Sequence, residues 1–206
     1  MSLHILNHAI GASLLSQLRS KETPPERFRH LTSALTQILV VEATRDLPTL
    51  QTEVTTPLEL TTGARLEHGL VAVPILRAGL GMLDTVLELL PEASVGYLGL
   101  ERDEKTAVAS SYYAKLPPLK NRIALLLDPM LATGGSAGWC AERLYSAGAE
   151  RVILLCVVAA PEGVSHLEAN FPDLQIFCGA LDRELNVQKY IMPGLGDFGD
   201  RLFGTF

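Results

Sequence analysis

The 206-residue sequence is short of several features that mark specialised proteins. Its three cysteines, Cys140, Cys156 and Cys178, are isolated, odd in number and without CxxC spacing. That pattern indicates neither a zinc site nor a disulfide framework, and it reads as small apolar core residues in a reducing compartment. Positive charge is not in surplus: 17 Lys and Arg face 23 Asp and Glu, for a net charge of -6. A general attraction to nucleic acid is therefore not expected, while a small phosphate ligand, needing only a few local donors, is not excluded. Long apolar runs are missing too: Val152 to Ala160 is nine residues, against about 20 for a membrane helix. The first 18 residues carry no charged side chain, yet His4, Asn7 and His8 interrupt them, and the basic and compact apolar regions of a signal peptide are lacking. A cytoplasmic protein with no membrane partner is the expectation. No GxxxxGK[ST] occurs, which disfavours a Walker-type ATPase, and neither an internal repeat nor a low-complexity segment is found.

What is present is a foldable core. Hydrophobic residues make up 48% and charged residues 19%, with mean hydropathy +0.23, a composition suited to one globular domain spanning residues 1–206. Thr23-Pro24-Pro25-Glu26 reads as a helix start, with Thr23 as cap and Glu26 placed to complete a capping box. Phe28, Leu31, Leu35, Ile38 and Leu39 follow at helical spacing to about Glu42. From Thr49 to Leu70, alternation punctuated by Pro57 and Gly63 predicts short strands in a hairpin or arm. The rhythm then becomes apolar strand, glycine-rich loop, helix, with strands at Leu70 to Leu76, Ala93 to Leu100, Arg122 to Leu127, Arg151 to Ala159 and Leu174 to Ala180. A helix is expected around Gly163 to Ala169. Strands apolar on both faces, alternating with helices, predict an α/β fold whose mostly parallel sheet is flanked by helices. Ligands of such sheets bind beyond the carboxyl ends of the strands, so the loops there carry the functional question.

Three loops stand out. Asp128 to Ser136, DPMLATGGS, joins a strand to a helix. Thr133, Gly134, Gly135 and Ser136 would present free amides and a positive dipole end to a terminal phosphate, and Asp128 would accept from vicinal sugar hydroxyls. The alternative is an ordinary turn with Ser136 as cap. Arg77-Ala78-Gly79-Leu80-Gly81 offers a cation for pyrophosphate and glycines that let amides approach a ligand; alternatively Arg77 pairs with Asp84. PGLGDFGDRLFGT, from Pro193 to Thr205, could read the edge of a flat heterocycle with its backbone and use Asp197 near a hydrated Mg2+. Its alternative is a structural wrap with Asp200 and Arg201 as a surface pair. The polar stretch from Glu101 to Pro118 is either a lid, with Arg102 as a second phosphate-facing cation, or a solvated charged hairpin.

Taken together, DPMLATGGS, VPILRAGLGM and YIMPGLGDFGDRLFGT resemble the PRPP, pyrophosphate and uracil loops of the uracil phosphoribosyltransferase family. RFRHLTSALTQILVVEATRDLPT and VAAPEG resemble further segments of it, so the similarity covers essentially the whole chain. The resemblance implies a type I phosphoribosyltransferase fold with an N-terminal helix and β-arm and a C-terminal hood-like segment. It also implies transfer of phosphoribosyl from PRPP to uracil with Mg2+ on the pyrophosphate, held through PRPP and water without direct protein ligation, Asp197 being the one possible exception. Arg77 and Arg102 would face pyrophosphate, and together with Asp197 they are the expected catalytic residues. PRPP would be bound by these and by Asp128, Pro129, Met130, Leu131, Ala132, Thr133, Gly134, Gly135 and Ser136, the stretch Ala132 to Ser136 holding the 5-phosphate. Ile191, Gly196, Asp197 and Phe198 would meet uracil.

The sequence departs from the common pattern in having Phe198 where Ala is frequent and Asp103 where an amide is usual. Contact through the backbone alone at 198 would make Phe198→Ala mild. The resemblance further suggests a homodimer or higher homo-oligomer, and a GTP or CTP effector occurs in some relatives, for which Lys21, Arg27 and Arg29 give no decisive sign. The competing expectation is a PRPP- or nucleotide-sensing regulator of the same fold without turnover.

Overall fold

Two runs of apolar residues at the middle of the chain determine the architecture. Residues 3–102 and 109–205 are described by the computed structural model. The chain begins with β1 (Leu3–Ile5), α1 (Ala9–Arg19) and α2 (Pro25–Ala43), followed by the ribbon of β2 (Thr49–Thr55) and β3 (Leu60–Leu66). Next come β4 (Gly69–Leu76), α3 (Leu80–Leu89), β5 (Ser94–Val95), β6 (Tyr97–Arg102), β7 (Ala109–Lys115), β8 (Arg122–Leu127) and β9 (Met130–Leu131). The remainder is α4 (Gly135–Ser146), β10 (Arg151–Ala159), α5 (Pro161–Asn170), β11 (Gln175–Leu181), β12 (Glu184–Leu185), β13 (Ile191–Met192) and α6 (Phe198–Phe203).

Among the described residues the main sheet runs β1-β11-β10-β8-β4-β6-β7, with β5 beside β4 and β9 beside β10. Only the β6–β7 pair in this sheet is antiparallel. Both faces are covered, and the strands divide their side chains between them with period two. Ile123, Leu125 and Leu127 of β8 join α1, α2, α3 and α6 on one face. Ala124 and Leu126 join α4 and α5 on the other. Central strands buried on both sides need no polar alternation, which is why β8 and β10 read as unbroken apolar runs.

The ends of elements depart further from expectation than their middles. Pro24 is the N-cap of α2 and no side chain caps it; the Thr23 hydroxyl instead donates to Gln17 O at 2.6 Å. The expected capping box is therefore not formed, because a partner on α1 takes the hydroxyl. The uncharged N-terminal segment forms β1 and α1, neither of which was expected. His8 caps α1, its Nδ1 accepting from Gly11 N–H at 3.3 Å. All three cysteines are buried and unpaired by disulfide, as expected.

Candidate active site

The chain order reverses at β4, which pairs with β6 on one side and β8 on the other. In parallel sheets such a reversal opens a crevice beyond the carboxyl ends of the strands. Pro74 is opposite Leu127 in the β4–β8 register. Asp128, directly after Leu127, and Arg77, three residues after Pro74, therefore leave the sheet side by side. Gly79 makes this closeness possible: a Cβ there would sit 2.4 Å from Leu127 O and 2.8 Å from Ile75 N and O. Its missing side chain lets the Arg77 loop fold onto the ends of β4 and β8.

Arg77 is exposed, and the peptide preceding it is cis. The ion pairs among the described residues do not include an Arg77–Asp84 pair. Arg102 ends β6 opposite Ala109. Its side chain, like Asp103 and the tip of the expected lid, lies outside the described residues.

Asp128 is half-buried, and its N–H donates to Leu155 O at 3.1 Å. Burial first, and the Asp128 charge second, push the Cys140 thiol far up. Beyond Asp128 the chain stays close to the sheet. Pro129 O accepts from the N–H groups of Val157 and Val158 at 3.0 and 3.2 Å, and Met130 and Leu131 pair with Val158 and Ala159. The side chains of Pro129 and Leu131 are buried in the protein, and Met130 is half-buried. The backbone turns outward at Ala132 and Thr133. Gly134 then caps α4 in the left-handed conformation, φ 81°. Ser136 is consequently inside the first turn and is not the cap. Gly138 N–H already bonds Gly134 O, and Gly135 N–H donates to Thr133 Oγ1 at 3.5 Å, which leaves the amides of Ser136 and Ala137 as the donors of the helix start without a partner among the described residues. Gly135 is exposed, and α5 closes the far side of the loop, where a Cβ on Gly134 would meet Gly163 O at 2.9 Å. The result is an open amide cradle at the positive end of a helix.

The C-terminal segment borders the same crevice through α3, since a Cβ on Gly81 would touch Leu202 of α6 at 2.7 Å. Ile191 is buried in the small β12–β13 pair, while Gly196 and Asp197 are exposed. Asp197 caps α6, its Oδ1 accepting from Asp200 N–H at 2.9 Å. Phe198 is 1% exposed and meets Phe28 edge-on, 5.1 Å between ring centroids at 67°. Its side chain faces the core, so only its backbone is available to a base.

Sequence reading missed the arginines that hold this segment. Arg201 does not pair with Asp200: its Nη1 donates to Leu18 O and Leu195 O and its Nη2 to Ser20 O, each at 2.6 Å. Its guanidinium lies 4.5 Å from the Phe28 ring centroid, and burial lowers its pKa from the usual value. Arg29 donates to Leu202 O at 2.8 Å, and Arg27 to Gln17 Oε1 at 3.0 Å. The only hint in sequence was the density of glycine near the C-terminus, which requires external support to stay ordered.

A family model described as uracil phosphoribosyltransferase matches residues 5–205. The chain belongs to the uracil phosphoribosyltransferase family. A curated uracil phosphoribosyltransferase of Thermosipho melanesiensis is 45% identical over 207 residues, 100% of both chains. A solved protein structure from Aquifex aeolicus superposes with TM-score 0.94 at 38% identity, covering 98% of this chain and 97% of that one. A phosphoribosyltransferase of Corynebacterium diphtheriae, at 14% identity and TM-score 0.52 over 84% of this chain and 96% of that one, shares the fold. Within the uracil phosphoribosyltransferase family the mostly parallel sheet, the arm and the C-terminal segment of this chain are thus accounted for together.

Proposed function

We propose that the protein transfers the 5-phosphoribosyl group of PRPP to N1 of uracil, giving UMP and pyrophosphate. The observation that carries this reading is the meeting of the Asp128 loop and the Arg77 loop across the β4–β8 pair. Asp128 would accept hydrogen bonds from the ribose hydroxyls, and the amides from Ala132 to Ser136 would receive the 5-phosphate. Arg77, joined by Arg102, would stabilise the charge gathering on departing pyrophosphate as the anomeric carbon acquires oxocarbenium character. The backbone at Ile191 and from Gly196 to Phe198 would hold uracil with N1 in line.

Mg2+ fits this arrangement. Among the described residues no group of three or more His, Cys, Asp or Glu gathers as a metal cage. In this reading the ion would be held by phosphate oxygens of PRPP and by water, with the exposed Asp197 as the possible protein contribution. When bound, Mg2+ supplies neutralisation of the charge on pyrophosphate. The relatives' activity favours this enzyme over a non-catalytic sensor. Among the described residues no helix is long and apolar enough to cross a membrane.

Association of copies is supported by the tip of the β2–β3 ribbon, where Leu58 is 96% and Leu60 61% exposed. The partners of Arg27 and Arg29 within the chain lend no support to a GTP or CTP effector at those residues.

The test is formation of UMP and pyrophosphate from PRPP, Mg2+ and uracil, with cytosine, xanthine, hypoxanthine and orotate in parallel. UMP from uracil alone is expected. Silence with every base, with and without GTP, while PRPP still binds would return the sensing alternative.

A further inference from the structure

We infer that Arg19 and Asp182 are positioning residues for the base, acting through the backbone of Gly194. The inference rests on the reading above, in which main-chain groups between Ile191 and Phe198 meet uracil. Recognition by backbone has a particular weakness. A side chain can adjust its rotamer to a ligand, whereas an amide and a carbonyl are only as well placed as the chain that carries them, and hydrogen bonds weaken steeply with misalignment.

In this protein the requirement falls on Gly194, between buried Ile191 and exposed Gly196. Both of its polar groups are tied to the same ion pair. Its N–H donates to Asp182 Oδ2 at 2.9 Å, and its carbonyl accepts from Arg19 Nη1 at 2.7 Å. Arg19 and Asp182 are themselves joined by two bonds, Nη1 to Oδ2 at 2.9 Å and Nη2 to Oδ1 at 2.5 Å. Asp182 is 8% exposed while Arg19 is half-buried, so the carboxylate side of the pair is removed from water. Breaking a buried pair is costly, while its net contribution to fold stability is commonly small, which makes such a pair weak evidence for stability alone. What this one does is fix a single peptide position from both sides, using a planar fork that only arginine offers. Arg19 ends α1, which packs on α2, and Asp182 directly follows the sheet strand β11, so the loop is referenced to the rigid body of the protein. Neither residue is assigned a contact with PRPP or uracil.

The experiment compares the wild type with Arg19→Ala, Arg19→Lys and Asp182→Asn. It reads KM for uracil and for PRPP separately, kcat, amide hydrogen exchange of residues 194–198, and the melting temperature. Arg19→Ala is expected to raise KM for uracil by about tenfold or more, with KM for PRPP unchanged. Exchange at 194–198 should accelerate while β8 and β10 stay protected. Arg19→Lys should recover part of the uracil affinity, because an ammonium can serve the carbonyl or the carboxylate but cannot reproduce the fork. It also carries the test should Arg19→Ala not fold. A fall in melting temperature with both KM values unchanged, or an equal rise in both, would overturn the inference alone. A wild type that makes no UMP would overturn the functional reading and this inference with it.

Discussion

Arg77 is exposed and has no carboxylate partner among the ion pairs of the described residues, so removing its charge should act on chemistry and leave folding alone. Arg77→Ala is expected to lower kcat/KM by about 10²-fold or more with an unaltered melting curve, in keeping with loss of one preorganised stabilising group. Asp128→Asn should weaken PRPP binding, measured by titration of the ligand. Phe198 is the opposite kind of residue. Backbone-only contact with uracil predicts a mild Phe198→Ala for binding, but in this chain the ring fills a core position against Phe28. The substitution is expected to cost about 3–5 kcal/mol of stability, read from urea denaturation, with little change in uracil affinity of the protein that remains folded.

The elements were legible in proportion to how local their causes are. The strands Arg122–Leu127 and Arg151–Ala159 were read to the residue, since burial on both faces leaves an uninterrupted apolar run. The cap of α2 was misread because the Thr23 hydroxyl has a partner six residues back on another helix, and β1 was missed because a three-residue strand leaves almost no periodicity. Of the site, the Asp128 and Arg77 loops were recognisable, but that Pro129 to Leu131 would return to the sheet was not, since pairing with β10 depends on register. Arg201 looked like a neighbour of Asp200, whereas its acceptor Leu18 lies 183 residues away.

Two predictions belong to this scale. Gly79→Ala would press a Cβ against backbone atoms that cannot swing aside, and should cost about 1–3 kcal/mol in a melting experiment while reducing activity. Glu162 on α5 accepts the Leu185 amide at 2.9 Å, which lowers its pKa below the usual 4.5 and ties α5 to β12. A lowered folded pKa means stabilisation that is present above the unfolded value and lost as pH falls through the folded one. The urea midpoints of wild type and Glu162→Ala should therefore differ at neutral pH and converge on acidification.

Across the whole molecule, burial pushes the Cys140 and Cys156 thiols up, and all three cysteines are inside the core on the α4 and α5 face of the sheet. Thiol titration should find no reactive cysteine in the native protein and three after unfolding, with no loss of activity on exposure to a mild alkylating reagent. The arginine links between α1 and the C-terminal segment have a consequence in time. During synthesis the carbonyl of Leu18 is made 183 residues before its Arg201 partner, so the first helix leaves the ribosome long before its contacts with the C-terminal segment exist. The central strands can collapse meanwhile, but the C-terminal side of the crevice waits for the end of translation. A nascent chain halted before Asp197 is accordingly expected to resist proteolysis in β8 and β10 and to make no UMP.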